Sequence, residues 1–473
     1  MYSSKKHLNR LTALLEAHGI RHVVCCPGSR NAALIHNFNE SPALVCHPVT
    51  DERSAGFTAL GVILAEHAPV AVCVTSGSAL LGVIPAMAEA FYRHLPLLVI
   101  SADRPAEMLG QLEGQTLPQC GAFRPYAETT AIDEHMSNEV VDRETNKVLL
   151  KLRHNGGQPA HLNVHIAEPL FDFNVEKLPE VRKIVAYKSW EEVWEEVKKA
   201  HSPALFVGQI DDARTANALA EMAVRHRLPV IADVVSNMPK NLPVADPNTV
   251  DLLIHVGGHT VSKDMRNLLR RRTNLRVIRI EPSNDEFPDT FNHLVGIFRT
   301  ELPQSDSTNP SWVLHVANSS SVRRMDEFLP VLSEEIGTAP HAIYCNRGTN
   351  GIEGSLSVAV GHALATPETL NVVIIGDLSF FYDQNALWQL KNIERAHDFS
   401  NLKILLLNDG GGKIFDRLPG LDASPATPFI AATHELDAEH ICLAYGVKFH
   451  KCDSIANAIT VLLNSDGATL CEI

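Results

Sequence analysis

The sequence predicts an α/β protein built from three doubly wound parallel-sheet domains. Short apolar runs alternate with segments of helical periodicity along the chain. Most of those runs end in a polar turn that opens a helix, as parallel strands covered on both faces do. The chain has 473 residues, more than one hydrophobic core supports.

His22 to Cys26 reads as a strand ending at Pro27-Gly28-Ser29-Arg30. Val70 to Val74 ends at Thr75-Ser76-Gly77-Ser78, ahead of an Ala/Met-rich helix. Leu97 to Ser101, entered through Pro96, ends at Ala102-Asp103-Arg104-Pro105. In such sheets ligands bind where strands end and helices begin, and all three turns are polar there. Composition shifts after Pro169, and Phe171 to Tyr187 reads as a linker, so the first domain spans 1–178. The second, 186–302, has its first strand at Pro203-Ala204-Leu205-Phe206-Val207-Gly208. It continues through a helix over 213–227, strands over 229–232 and 252–256, Gly257-Gly258-His259, a basic helix and a strand over 275–280. Pro303 to Pro310 is a second linker. The third domain, 311–473, carries a strand over 372–375 before Gly376-Asp377 and another over 402–407 before Asn408.

The bulk numbers exclude several roles. No apolar run is long enough to span a membrane, and no apolar stretch follows Met1-Tyr2-Ser3-Ser4-Lys5-Lys6 as a secretory signal would require. Nine cysteines, an odd count without a C-x-x-C pair, fit free thiols in a reducing cytoplasm. The 23 histidines show no metal-ligand spacing. A net charge of −14 disfavours nucleic acid as a partner. It also requires that any anionic ligand meet cations concentrated locally.

Gly376-Asp377 and Asn408-Asp409-Gly410-Gly411-Gly412 each follow a buried apolar run, which puts both at one edge of one sheet. Mg²⁺ takes few protein oxygens and completes its octahedron with phosphate and water, and an Asp carboxylate, an Asn oxygen and a backbone carbonyl suit it. Ser379 is placed to cap a helix, with neighbouring N–H groups for phosphate. Either half alone reads better as an ordinary turn or loop. Together they point to a diphosphate held through a metal.

A Gly-Asp pair followed after an interval by Asn-[Asn/Asp]-Gly resembles the diphosphate motif of thiamine-diphosphate enzymes; the interval is long for that superfamily. The resemblance implies Asp377, Asn408 and the Gly410 carbonyl as Mg²⁺ ligands, with Mn²⁺ able to substitute. It implies Gly376, Ser379, Gly410, Gly411, Ser76 and Gly77 against the cofactor, and Ile352 as the wedge beneath its two rings. It names the domains pyrimidine-binding, central Rossmann-like and diphosphate-binding. A Glu of the first domain bonds the aminopyrimidine N1′ in that superfamily, and Glu52 in Asp51-Glu52-Arg53-Ser54-Ala55 is the candidate.

Cys26-Pro27-Gly28-Ser29-Arg30-Asn31, Thr75-Ser76-Gly77, Ala102-Asp103-Arg104-Pro105, Asn318-Ser319-Ser320-Ser321-Val322-Arg323 and Asn346-Arg347-Gly348-Thr349-Asn350-Gly351-Ile352-Glu353-Gly354 occur in that order. The set is similar to the 2-succinyl-5-enolpyruvyl-6-hydroxy-3-cyclohexene-1-carboxylate (SEPHCHC) synthase, or MenD, family of menaquinone biosynthesis, from about residue 20 onward. The resemblance implies decarboxylation of 2-oxoglutarate and a Stetter-like 1,4-addition of the succinyl carbanion to isochorismate. Arg323 and Arg347, with Ser319, would hold the succinyl carboxylate. Ser29, Arg30, Arg104 and Gln115 would meet isochorismate, and Lys263 would reach in from the central domain. Phe415 and Leu418 would line the cavity. Convergent arginines suit dicarboxylates, because a hydrogen bond to a charged group is worth roughly 1.5–3 kcal/mol while distant charges are screened beyond about 8 Å. Glu52 and the Mg²⁺ motif meet across a subunit boundary in this superfamily, which implies a homodimer or homotetramer. The chain departs from the family in a compressed middle domain, a short stretch near 303–311 and altered neighbours of Gln115. The alternatives are another thiamine-diphosphate 2-oxo acid decarboxylase, an acetohydroxyacid synthase-like enzyme, or a non-catalytic thiamine-binding sensor on the same fold.

Overall fold

Val70–Val74 and Leu97–Asp103 are buried at every position, as strands between two helical layers must be. In this computed structural model, which describes residues 1–153, 157–281, 287–305, 311–347, 350–391, 399–417 and 425–473, they form the centre of a six-stranded sheet. Its order is Val45–Pro48, His22–Cys25, Val70–Val74, Leu97–Asp103, Ala160–His165, Thr129–Ile132, all parallel. Side chains alternate between two cores. Val23, Cys25, Ala71, Cys73, Leu98 and Ile100 pack on one side with Leu11, Phe38 and Leu149. Val24, Val70, Val72, Val74 and Val99 pack on the other with Leu60, Val83 and Met87.

By compactness the chain divides into Met1–Val193 with Ser283–Arg299, and Trp194–Pro282 with Thr300–Ile473. The first unit also contains an antiparallel pair, Tyr2–Ser3 with Phe173–Val175, and a parallel pair, Val185–Tyr187 with Leu294–Arg299. The segment expected to be a plain linker, 171–187, therefore holds two short strands. Their positions are half-buried or exposed, so they lack the continuous apolar run that marks an inner strand.

In the second unit Val230–Ala232, Pro203–Val207, Leu252–Val256 and Arg276–Glu281 lie in that order, parallel. A second six-stranded parallel sheet runs Ile343–Tyr344, Trp312–Val316, Leu370–Gly376, Leu402–Leu407, Thr469–Glu472, Lys448–Lys451. Most of the second expected linker, 306–310, lies outside the described residues. No described helix is long and apolar enough to cross a membrane.

Candidate functional site

The register of two strands builds the first part of the site. Gly376 is the partner of Leu407, so Asp377 and Asn408 leave the sheet side by side. Asp377 is buried and opens the helix Asp377–Asp383. Its Oδ1 accepts Leu378 N–H at 2.6 Å and its Oδ2 accepts Gly411 N–H at 2.8 Å. Asn408 donates to the Leu436 carbonyl at 2.7 Å, and its Oδ1 accepts Gly410 N–H at 3.3 Å. Gly411 has φ +134, and a Cβ there would lie 2.9 Å from the Ala431 carbonyl oxygen, so only glycine fits. The Gly410 carbonyl accepts His434 N–H at 3.1 Å, and His434 Nε2 lies 3.3 Å from Asp377 Oδ2. A cavity of ≈ 380 Å³ opens beside Asn408, Asp409, Gly410 and His434. A carboxylate, an amide oxygen and a carbonyl at one sheet edge fit a hard divalent cation with a diphosphate. Ser379 is buried inside the helix rather than at its cap; Gly376 holds the cap position with no side chain to offer.

The same sheet edge carries two of the expected arginines. Arg323 ends the short helix after Trp312–Val316, and Arg347 follows Ile343–Tyr344. Arg347 is buried; its Nη1 donates to Asn318 Oδ1 at 2.9 Å and its Nη2 to the Thr260 carbonyl at 3.4 Å. Arg323 Nη1 donates to the carbonyl of Ser319, a residue at φ +67. Partial desolvation, then the nearby Arg347 and Arg266, lower the Arg323 pKa. Asn318 Nδ2 ties down the loop through the carbonyls of Asn346 and Gly351, both at 2.8 Å, and Ile352 follows, half-buried. Lys263 is exposed at the first position of the helix Lys263–Arg270. Phe415 is half-buried, with its ring over Gly412, where a Cβ would meet it at 2.8 Å. Leu418, Gly348 and Thr349 lie outside the described residues.

In the first unit, Glu52 is half-buried and begins the helix Glu52–Glu66; Asp51 caps that helix by accepting Arg53 N–H at 2.9 Å and Ser54 N–H at 3.2 Å. Burial, then Glu52 and Asp51, push the Cys26 thiol up to about 12. A Cβ at Gly28 would stand 2.3 Å from Thr75 Cβ, so the two turns carrying Ser29 and Ser76 are packed together. Arg30 is buried, donating to the Ile166 carbonyl at 2.9 Å and lying 3.2 Å from Glu168. Burial lowers its pKa and Glu168 offsets this, with Arg104 close enough to lower it further. Arg104 Nε donates to the Gly114 carbonyl at 2.8 Å. Gln115 is exposed at φ +57, with its backbone 3.1 Å from where a Gly77 Cβ would sit. Ser29, Arg30, Arg104, Gln115, Ser76 and Gly77 thus share one edge of the first sheet.

Residues 7–122 match the family described as "Thiamine pyrophosphate enzyme, N-terminal TPP binding domain". The 2-succinyl-5-enolpyruvyl-6-hydroxy-3-cyclohexene-1-carboxylate synthase of Bacteroides thetaiotaomicron is 38% identical, over 93% of this chain and 89% of that protein. The Desulfotalea psychrophila protein of the same name is 33% identical, over 95% of this chain and 94% of its own length. The chain belongs to the SEPHCHC synthase family. That family is one of thiamine-diphosphate-dependent transferases of menaquinone biosynthesis.

Three residues of this SEPHCHC synthase family member escaped sequence reasoning. Gln119 is buried and holds Gly77 N–H on its Oε1 at 2.7 Å, while its amide donates to Asn163 and Ala102. Gly82 leaves room for Glu52, whose Cβ would be 3.1 Å from an added Cβ. Asp233, whose carboxyl burial raises, accepts Val261 N–H at 2.9 Å and Ser262 N–H at 3.3 Å beneath the start of the Lys263 helix. None of them sits in a recognisable motif, and each role depends on contacts distant in sequence.

Proposed function

We propose that this chain makes SEPHCHC by joining two dicarboxylic acids: it decarboxylates 2-oxoglutarate and adds the remaining four-carbon unit 1,4 to isochorismate. The observation that carries the reading is the position of Arg323 and Arg347. Arg323 follows the strand next to the one before Asp377, and Arg347 follows the strand beyond that, so two carboxylate-binding cations and the diphosphate anchor would share one sheet edge. Acetohydroxyacid synthases and simple 2-oxo acid decarboxylases lack this arginine pair.

Asp377, Asn408 and the Gly410 carbonyl would hold Mg²⁺, or Mn²⁺ in its place, and Gly376, Ser379, Gly410 and Gly411 the diphosphate. Bound thiamine diphosphate supplies the electron sink for decarboxylation. Ile352 wedges its rings, Ser76 and Gly77 border it, and Glu52 holds the proton at the aminopyrimidine N1′. Arg323, Arg347 and Ser319 bind the donor's distal carboxylate. Ser29, Arg30, Arg104 and Gln115 orient isochorismate, Lys263 adds a cation from the central domain, and Phe415 and Leu418 would line the cavity. The division is three domains, 1–178, 186–302 and 311–473. The working form is a homodimer or homotetramer in which Glu52 of one copy serves the Mg²⁺ motif of another. Free cysteines support a cytoplasmic location.

Glu52→Gln tests the reading. Loss of roughly 10²–10⁴-fold in turnover of isochorismate with 2-oxoglutarate, with the fold retained, is expected. Intact turnover in this variant would overturn Glu52's role.

A further inference from the structure

Arg266 belongs to the basic helix Lys263–Arg270, which reads from sequence as a solvated charged surface. In the structure it is half-buried, and its Nη1 lies 3.5 Å from Thr260 Oγ1. Thr260 is also the residue whose carbonyl accepts Arg347 Nη2 at 3.4 Å. Arg347 in turn shares Asn318-Ser319 with Arg323: it bonds the Asn318 side chain, while Arg323 bonds the Ser319 carbonyl. Thr260 and Asn318-Ser319 between them thus bond three guanidinium groups. The proximity is felt electrostatically, since Arg347 and Arg266 both lower the Arg323 pKa.

Like charges gathered this way repel, and Asp233, which Arg347 stabilises in its charged form, is the one nearby acid the described residues show. Among the described residues none of the three has a carboxylate within ion-pair distance. Asp233 is the nearby acid, but its oxygens are occupied by backbone amides: Oδ1 by Val235 at 3.3 Å, Oδ2 by Val261 at 2.9 Å and Ser262 at 3.3 Å. Arg347 Nε is moreover buried without an acceptor. A buried guanidinium nitrogen left unsatisfied beside two more cations is a site waiting for an anion with several acceptor oxygens. Lys263 lies three positions before Arg266, on the same helix face.

We infer that Arg266 is a third guanidinium of the donor-carboxylate pocket and sets its preference for 2-oxo acids bearing a second carboxylate. The inference rests on the donor role proposed above for Arg323 and Arg347. It makes the central helix a specificity element: Arg323 and Arg347 follow strands of the diphosphate-binding sheet, and Arg266 reaches Thr260 from the helix Lys263–Arg270. Arg266 itself touches no reacting bond, so it acts on substrate affinity and selection.

The test compares wild type, Arg266→Gln and Arg266→Lys as full-length holoenzymes. The KM for 2-oxoglutarate should rise about 10- to 100-fold in Arg266→Gln, the loss of one charge-assisted contact, with kcat within a few-fold. The KM for the monocarboxylate 2-oxobutanoate and the thiamine-diphosphate affinity should stay put, so the preference for the dicarboxylate collapses. Arg266→Lys should recover part of it. Equal losses for both donors, or weakened thiamine-diphosphate binding, would overturn the inference and mark a structural or diphosphate role. If wild type consumes no 2-oxoglutarate, the donor reading fails, and succinate binding by calorimetry decides the pocket alone. Binding by wild type that Arg266→Gln loses upholds it; equal or absent binding overturns it.

Discussion

Asp377 Oδ2 accepts the backbone N–H of Gly411 at 2.8 Å, joining the Gly376-Asp377 turn to the Asn408–Gly412 loop through one carboxylate. The bond sets the glycine loop against the start of the Asp377–Asp383 helix before any ligand arrives. Asp377→Asn keeps the volume but loses the charge and one acceptor. It should weaken thiamine diphosphate binding with Mg²⁺ at least about 10- to 100-fold by calorimetry, leaving circular dichroism unchanged. Affinity equal to wild type would remove Asp377 from the metal site.

Acid should destabilise the first unit as pH falls below about 6.5. His161 is fully buried between Ser101 Oγ at 2.7 Å and Thr129 Oγ1 at 2.9 Å, and burial takes its pKa down to about 3. Burial takes His7 and His18 to about 4. Each folded pKa lies below the unfolded value of about 6.5, so the unfolded chain binds the extra proton. The stability these groups contribute is fully present above about pH 6.5 and is lost as pH falls toward the folded values, by about 1.4 kcal/mol per pH unit per histidine. Urea midpoints should fall between pH 7.5 and pH 5, and less steeply in His161→Gln. An identical slope in the variant would show that His161 does not carry the effect.

The helix Glu52–Glu66 is apolar on two faces. Ala59, Leu60 and Ile63 are buried, yet Phe57 and Leu64 stand exposed on either side of Gly61, which has open space above it. Leu81 and Tyr92 are also exposed, on the helices that follow. An apolar surface of this kind next to Glu52 suits a second copy of the chain. Leu64→Asp should shift the protein toward monomer in analytical ultracentrifugation and remove turnover, although Leu64 touches no proposed ligand. A fully active monomer would refute the shared site.

Much of the fold was legible because inner strands announce themselves. Val70–Val74, Leu252–Val256 and Leu402–Leu407 are continuous apolar runs closed by turn residues, and the structure gives each the same limits. Phe173–Val175 and Val185–Tyr187 were not legible, since their positions are at most half-buried and read as loop. The convergence of Asp377 with Asn408 could be read from two strand ends. Gln119, Gly82, Asp233 and Arg266 could not. A buried glutamine, a small residue under a helix, an amide-bound carboxylate and one arginine of a basic helix gain meaning only from neighbours supplied by other strands.

The most direct measurement supplies wild-type protein with thiamine diphosphate, Mg²⁺, 2-oxoglutarate and isochorismate and follows CO₂ release, isochorismate loss and product mass together. The expected result is one CO₂ per isochorismate consumed and a product of SEPHCHC mass, with no isochorismate loss when either the cofactor or 2-oxoglutarate is withheld. CO₂ release without isochorismate loss, or isochorismate left untouched under all conditions, would contradict the proposed reaction.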